Sequence, residues 1–441
     1  MRPLSTHDAL ILAAGRGERL LNYQGLPKPL ISFLGLPLLL RIMKTLARAG
    51  MKRVVVVVGH QAEQVADAAE RYARETGLEL QVIHAENWER GNGFSALAAR
   101  DHFDHPFLMV MCDHVFEPRM LAELSRRNPP EDGLLLAVDR RKNAPAVNMD
   151  DVTRVRTRGD RIMDIGKGLE SFDCFDVGAF HCTPAVFAAL ESSGDGTLTG
   201  AVRLLARENR AFIWDIGQSF WADLDDRDEL EKARKAMLNQ AGSKMHDGPV
   251  ARFINRPISR RLTGWLLNHD ISPMQVTWAS FGLALLASIL IIFPSWISLV
   301  LGGVLAQLAS ITDGCDGEIA RLTLRESEGG GWLDAVLDRY ADAFLITGFT
   351  LHGMWHELLG IEVVAAGLLA MSGTLINSYT ADKYDGWMRK QGKKHRFRLG
   401  RDVRIMAVML AAFLDLPLIL LWGLALLMHA ENVRRMVVVL R

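Results

Sequence analysis

From about residue 274 onward the chain is dominated by apolar stretches, near 274–293, 296–312, 332–352, 358–379, 402–416 and 417–435. Each approaches the ~20 residues that a helix needs to span a bilayer, because only a helix or a closed barrel satisfies its backbone polar groups there. The second half is therefore expected to be an all-α bundle of six transmembrane helices. Set into it are four aspartates, in Asp313-Gly-Cys-Asp316-Gly317-Glu-Ile-Ala320-Arg321 and in Gly330-Gly-Trp-Leu-Asp334-Ala-Val-Leu-Asp338. Ionisable groups at membrane depth are costly unless they pair, line a polar cavity or hold a cation. Spacings of three and four place Asp313 with Asp316 on one helix face and Asp334 with Asp338 on another. Oxygen donors without soft ligands suit a hard ion, Mg²⁺ first and Mn²⁺ second, bridging carboxylates to substrate phosphates. Solvated helix ends with Asp caps would explain one such pair but not both.

The pattern Asp-x-x-Asp-Gly-x-x-Ala-Arg, then Gly-x-x-x-Asp-x-x-x-Asp, resembles the signature of the CDP-alcohol phosphatidyltransferase family, with all of its defining residues present. The resemblance implies attack of an alcohol hydroxyl on the β-phosphate of a CDP-activated donor, with CMP leaving. It implies metal ligation by Asp313, Asp316, Asp334 and Asp338, a general-base role for Asp338, and contacts to the CDP moiety from Gly317, Ala320, Arg321 and Gly330. Asp342 continues the second stripe outside the motif and is expected to support the ligands.

Residues up to about 245 mix charged and apolar residues as a soluble α/β protein does. The expected organisation is a cytoplasmic domain over 1–240, a linker with an interfacial amphipathic helix over 241–272, and the transmembrane domain over 273–441. The amphipathic stretch Val250–Leu267 carries Arg256, Arg260 and Arg261; these either grip anionic headgroups or, with Arg401, bind a phosphate on the acceptor. The N-terminus has no apolar signal core, and the four cysteines show no metal or disulfide spacing. Turns near Pro294, Trp355 and Pro417 contain no Lys or Arg, whereas a loop from about 381 to 401 and the chain end are basic. Positive charge inside then places both domains' sites at the cytoplasmic face of the cell (inner) membrane. A net charge of zero gives no argument for a nucleic-acid partner.

In the first half, Asp8-Ala-Leu-Ile-Leu-Ala13-Ala-Gly15-Arg-Gly17-Glu-Arg19-Leu20 reads as a strand entering a Gly-rich, phosphate-approaching turn. Pro27-Lys28-Pro29 follows, Val54–Val58 reads as a buried parallel strand, and Phe107–Asp113 ends a strand in a carboxylate, where open parallel sheets place ligands. Together these resemble the nucleotidyltransferases that join NTPs to sugar or polyol phosphates, on a Rossmann-like mixed sheet. The resemblance implies triphosphate contacts from Ala13, Gly15, Gly17, Arg19 and Lys28, with Lys28 and Arg19 offsetting charge on departing pyrophosphate. It implies metal ligation by Asp113 and by one carboxylate of Trp221-Ala-Asp223-Leu-Asp225, with Asp223 favoured. Asn92 and Ser95 are expected near the nucleotide base; His114 is open to a packing role, and Asp225 to capping the helix near Arg227.

The fusion as a whole resembles the bifunctional inositol-1-phosphate cytidylyltransferase/di-myo-inositol phosphate phosphate synthase family, through segments that include Ile165-Gly166-Lys167, Asp176-x-Gly178 and Gly400-Arg401-Asp402. That resemblance implies CTP and inositol 1-phosphate as substrates, CDP-inositol as the shared intermediate, and Lys167 as a polyol-phosphate contact. It also implies membrane lipid surroundings and a homodimer through the membrane domain. Lys142–Asn148 and Asp176-Val177-Gly178 depart from the family pattern, which bears on polyol selectivity. A diacylglycerol-type acceptor, giving an inositol phospholipid, is the alternative. An ion-coupled transporter with a nucleotide-sensing domain ranks far below, because no internal repeat is visible.

Overall fold

A computed structural model describes residues 6–20, 24–141, 148, 151–242, 248–355, 360–391 and 400–440, and it divides into two compact units, Met1–Met237 and Leu238–Arg441. Most of the divergent segment 142–148, the basic residues Lys393, Lys394, Arg396 and Arg398, and Arg441 lie outside the described residues.

The first unit is built on a nine-stranded mixed sheet. In chain order its strands are β1 (Asp8–Ala13), β2 (Arg53–Val58), β3 (Glu79–His84), β4 (Phe107–Met111), β5 (Leu134–Asp139), β6 (Arg154–Arg158), β7 (Arg161–Gly166), β8 (Cys174–Cys182) and β9 (Ala211–Asp215). The spatial order is β3-β2-β1-β4-β8-β5-β9-β7-β6. Strands β3, β2, β1 and β4 run parallel, with Leu10 opposite Val55 and Met109, and β8 joins β4 antiparallel. Apolar residues fill β1 and β2 without alternation because both faces are covered. Ala9, Ile11, Val54 and Val56 pack on one side with Leu39, Ile42 and Val65, whereas Leu10, Leu12, Val55 and Val57 pack on the other with Ala96 and Phe187. Each fully buried Val or Leu contributes roughly 1.5–3 kcal/mol, so the sheet's centre is its most rigid part. Strand order reverses between β1 and β4, leaving a crevice at their carboxyl ends.

The second unit is helical. A π-turn, Ala251–Asn255, runs into the helix Arg256–Leu266. Six longer helices follow among the described residues: α1 (Pro273–Ile292), α2 (Trp296–Leu322), α3 (Glu328–Trp355), α4 (Gly360–Lys390), α5 (Arg401–Leu414) and α6 (Pro417–Leu440). Ser272 starts α1 with a capping box, its hydroxyl accepting from the Gln275 backbone while the Gln275 side chain accepts from Ser272. Close packing rests on glycine: a Cβ on Gly302 would lie 2.8 Å from the Ala287 carbonyl of α1, and one on Gly303 would lie 2.6 Å from the Ala412 methyl of α5. Small residues allow such approach where lipid offers no hydrophobic drive between helices.

Three of these helices, α1, α2 and a stretch of α4, are long and apolar enough to cross a membrane. The helices overrun the apolar stretches of the sequence. Helix α2 continues through the acidic motif to Leu322, α3 begins at Glu328, and α4 stays helical to Lys390, into what reads as a basic loop. Hydropathy falls in these turns while the backbone bonds persist, because polar side chains there find partners on neighbouring helices. Helix α5 is the shortest of the six, and Asp415, with φ of 51°, ends it.

Candidate active sites

In the first unit the chain leaves β1 into the Gly-rich turn, and Asp113 comes two residues after the end of β4, so both sit at the crevice. Gly17 has φ of 62°, and a Cβ there would lie 2.7 Å from the Lys28 Cβ, so the turn closes over Lys28 only with glycine. Ala13, Gly15, Gly17, Lys28, Asp113 and Asp225 line one cavity. The Lys28 ammonium is buried and donates to Asp113 at 2.6 Å and to Asp225. Burial alone would lower its pKa, but Asp113, Asp225 and Asp223 outweigh that and hold it well above the usual lysine range.

Asp223 lies on the short strand Trp221–Asp223, which pairs antiparallel with His114–Phe116 and so stands opposite His114, the residue after Asp113. One ligand atom each from Asp113, His114 and Asp223 lies within 4.8 Å of the others. Burial pushes the Asp223 carboxyl up to about 7, further raised by Asp113 and Asp225 and opposed by His114 and Lys28. His114 is raised to about 9: burial disfavours its charge, but Asp223, Asp113 and Asp225 prevail. Its ring meets Asp113 at 2.9 Å, so it joins the cluster and does more than pack. Asp223 Oδ1 is buried without a hydrogen-bond partner. A buried carboxylate oxygen with no hydrogen bond, 3.6 Å from the His114 ring nitrogen and close to Asp113, fits a divalent cation.

Asp225 is accounted for by Lys28 and Arg19, at 3.6 Å from the latter. It does not cap the helix Arg227–Ala241: Asp226 does, accepting from the Glu229 backbone at 2.8 Å while Glu229 accepts from the Asp225 and Asp226 backbones. A second cavity adjoins the cluster and is lined in part by Asn92, Asp151, Lys167, Asp176, His114 and Asp223. Asp151 bridges Arg19 and Lys167, the latter at 2.5 Å. Burial lifts the Asp176 carboxyl to about 6, and its Oδ1 accepts from Gly178 N at 2.7 Å. Gly178, at φ of 76°, leaves the space that the His114 ring occupies, 2.6 Å from a would-be Cβ. Asn92–Leu97 is a short helix and not a turn; its Asn92 side chain accepts from Leu198 N, and Ser95 is buried within it.

In the second unit, α2 and α3 bring ligand atoms of Asp313, Asp316 and Asp334 within 4.8 Å of one another. Three carboxylates so placed are a hard-oxygen donor set for a divalent ion. Thr277 of α1 donates to Asp316 at 2.6 Å. Asp338 meets Arg401 at 2.6 Å, and the same guanidinium reaches Asp313 at 3.3 Å and Asp342 at 3.1 Å. Arg404 holds the other oxygen of Asp342 at 3.0 Å. Thr277, Phe281, Ala309, Asp334, Asp338 and Arg401 border a small cavity between α1, α2 and α3.

The four arginines singled out in the sequence, Arg256, Arg260, Arg261 and Arg401, part company here. Only Arg401 reaches the acidic cluster; Arg256 is buried against Glu318 at 3.0 Å, and Arg260 donates to Asn239 at 2.9 Å. Arg321 donates twice to the Ala241 carbonyl, at 3.0 and 2.6 Å. Gly317 and Ala320 follow on the helix, where a Cβ on Gly317 would crowd Arg321 at 3.1 Å, and Gly330 N caps onto the Ser327 hydroxyl at 3.1 Å. Thr277, Glu318 and Arg404 carry no sequence signal of their own, because each is defined by a partner far along the chain: Asp316 for Thr277, the helix Arg256–Leu266 for Glu318, and Asp342 for Arg404.

Residues 9–204 match the MobA-like NTP transferase domain family, and residues 271–433 match the CDP-alcohol phosphatidyltransferase family, which makes the C-terminal half a membrane-associated bundle. A protein of Rubrobacter xylanophilus named bifunctional IPC transferase and DIPP synthase is 38% identical over 98% of this chain and 96% of its own length. One of the same name from Archaeoglobus fulgidus is 31% identical over 98% of this chain and 84% of its own. The solved inositol-1-phosphate CTP transferase from T. maritima is 25% identical over 52% of this chain and 96% of its own, with a TM-score of 0.47. With two acidic sites on two folds and relatives aligned end to end, the chain belongs to the family of bifunctional IPC transferases and DIPP synthases.

Proposed function

We propose that the first unit makes CDP-inositol from CTP and inositol 1-phosphate, and that the second transfers the phosphoinositol group to another inositol 1-phosphate with release of CMP. The observation that carries this reading is the pair of acidic clusters, Asp113–His114–Asp223 and Asp313–Asp316–Asp334, each beside a cavity in a chain whose relatives carry both activities in their names.

At the first site the triphosphate lies along Gly15 and Gly17, with Lys28 and Arg19 countering the charge that builds on pyrophosphate. Inositol 1-phosphate occupies the second cavity, its phosphate met by Lys167 and its ring near Asp176. At the second site Asp338 takes the proton of the attacking hydroxyl. Gly317, Ala320, Arg321 and Gly330 seat the CDP moiety, and Arg401 meets the acceptor phosphate. Mg²⁺ held by Asp113 and Asp223, and by Asp313, Asp316 and Asp334, would draw charge from the leaving groups when bound. Six spans, a cytoplasmic face for both sites, and a homodimer through the bundle in a lipid membrane complete the reading, supported by the basic residues after α4 and by the lipid-facing apolar surface, such as Leu368 at 63% exposed and Leu426 at 67%.

The test supplies purified protein with CTP, Mg²⁺ and labelled inositol 1-phosphate, with and without diacylglycerol. Asp113→Ala is expected to abolish CDP-inositol formation while leaving transfer from added CDP-inositol intact, and Asp338→Ala to do the reverse. If neither variant separates the steps, the two-site reading fails; label moving into lipid would replace the soluble acceptor.

A further inference from the structure

Glu318 lies within the acidic motif at a position to which the family resemblance assigns nothing, and it is completely buried. Its Oε1 accepts from Arg256 Nη1 at 3.0 Å and Ser259 Oγ at 2.7 Å, and its Oε2 accepts from Thr263 Oγ1 at 2.7 Å. The three donors are spaced by three and four residues, so they form one stripe of the helix Arg256–Leu266. That stripe continues at Asn255, which accepts from Gln307 at 2.7 Å and donates to Ser310 at 3.3 Å. Against the usual pattern, the helix keeps its polar face inside and turns Ile258 and Trp265 outward, 45% and 55% exposed.

At roughly 100° per residue, Glu318 points roughly 140° away from Asp313 and farther still from Ala320. The donor-facing residues are thus on one side of α2, and Glu318 is anchored behind them. A rotation of α2 by roughly 10° would move its side-chain atoms by about 1 Å, enough to cost a well-oriented site dearly. A buried carboxylate with three donors resists such a rotation, because each degree strains charge-assisted bonds that no water can replace.

We propose that Glu318 is a positioning residue: bound to Arg256, Ser259 and Thr263, it fixes the rotation of α2 and so aims Asp313, Asp316, Gly317 and Ala320 at the CDP-activated donor. This rests on the transferase reading above for what the motif binds, while the anchoring itself can be read without substrate.

The experiment uses the full chain in lipid nanodiscs. Glu318→Ala and Glu318→Gln are compared for transfer from added CDP-inositol, for melting temperature, and for backbone hydrogen exchange over 313–321. Glu318→Ala is expected to raise KM for CDP-inositol about tenfold with kcat changed less than about threefold, and to speed exchange in that segment. Glu318→Gln still accepts from Arg256 and Ser259 through its amide oxygen, while its amide nitrogen can donate to the Thr263 hydroxyl, and it should stay within about threefold of wild type. Cytidylyl transfer by the first unit serves as the internal control and should not change. Where Glu318→Ala does not fold, the double variant Ser259→Ala/Thr263→Val should show the same KM rise at about half that size on a logarithmic scale. A folded Glu318→Ala with wild-type KM and exchange overturns the proposal, as does a loss of melting temperature with no split between KM and kcat. Wild-type protein that transfers nothing from CDP-inositol sinks the transferase reading instead, and exchange alone then decides the anchoring.

Discussion

The two acidic clusters solve one problem by opposite routes. In the first unit the carboxylates come from far apart: Asp113 follows β4, and Asp223 arrives on a separate two-stranded pairing. A sheet holds them, and Lys28 is gripped between Asp113 and Asp225. In the second unit all four motif aspartates fall within two helical stretches of α2 and α3, and the countering cation, Arg401, comes from α5. The comparison teaches that a compact motif does not make a self-sufficient site. Where the ligands are close in sequence, their charge balance is imported from a distant helix; where they are scattered, the cation travels with the loop that closes the site.

Substitutions at four positions probe that contrast. Lys28→Met should cut CDP-inositol formation about 10²–10³-fold, measured by CMP transfer to labelled inositol 1-phosphate, and leave transfer from added CDP-inositol intact. Arg401→Met should slow only the second reaction, by about 10²-fold, and Arg401→Lys should not restore it, because an ammonium cannot fork between Asp338 and Asp342. Equal loss in both reactions from either change would erase the distinction between the sites. Asp223→Asn should weaken Mn²⁺ binding to the first unit about 10²-fold, read by electron paramagnetic resonance, and Asp225→Asn only about tenfold. The reverse ranking would make Asp225 the ligand.

The smallest expected effect is on pH. His114 has its pKa raised from 6.5 to about 9, so its protonated form stabilises the first unit fully below pH 6.5 and loses that contribution as pH rises through about 9. With excess EDTA present, stability should decline by ~1–3 kcal/mol across that window, followed by urea unfolding, and His114→Gln should flatten the decline. An unchanged slope in the variant would remove His114 from the charge balance.

Much of this architecture is legible in the chain. The five-valine run of β2 and the Gly-rich turn after β1 announce a parallel sheet with a phosphate site, because burial on both faces removes alternation. The acidic motif is legible because helical spacing alone places its carboxylates. What escapes is pairing that spans the fold. Nothing near Asp225 in sequence shows that Lys28 will claim it, and Arg256 reads as a contact to a headgroup or an acceptor phosphate until Glu318 is seen to pair with it. Helix ends escape as well: α2 outlasts its apolar run because Glu318 and Asp316 find hydroxyl donors on neighbouring helices.

The inverted helix Arg256–Leu266 also decides where the protein can be cut. Judged by hydropathy, a minimal membrane piece would begin at Pro273, the first residue of α1. Such a piece would expose Gln307 and strand Glu318 as a bare charge at the surface of α2, and it would lose the Ala251 amide that Asp402 accepts at 2.8 Å. Anyone seeking to express the bundle alone, or to graft it onto another nucleotidyltransferase, should join the chains before Leu238, which keeps Asn239 for Arg260 and the Ala241 carbonyl for Arg321, and a fusion made at the apparent edge of the membrane should yield misfolded protein.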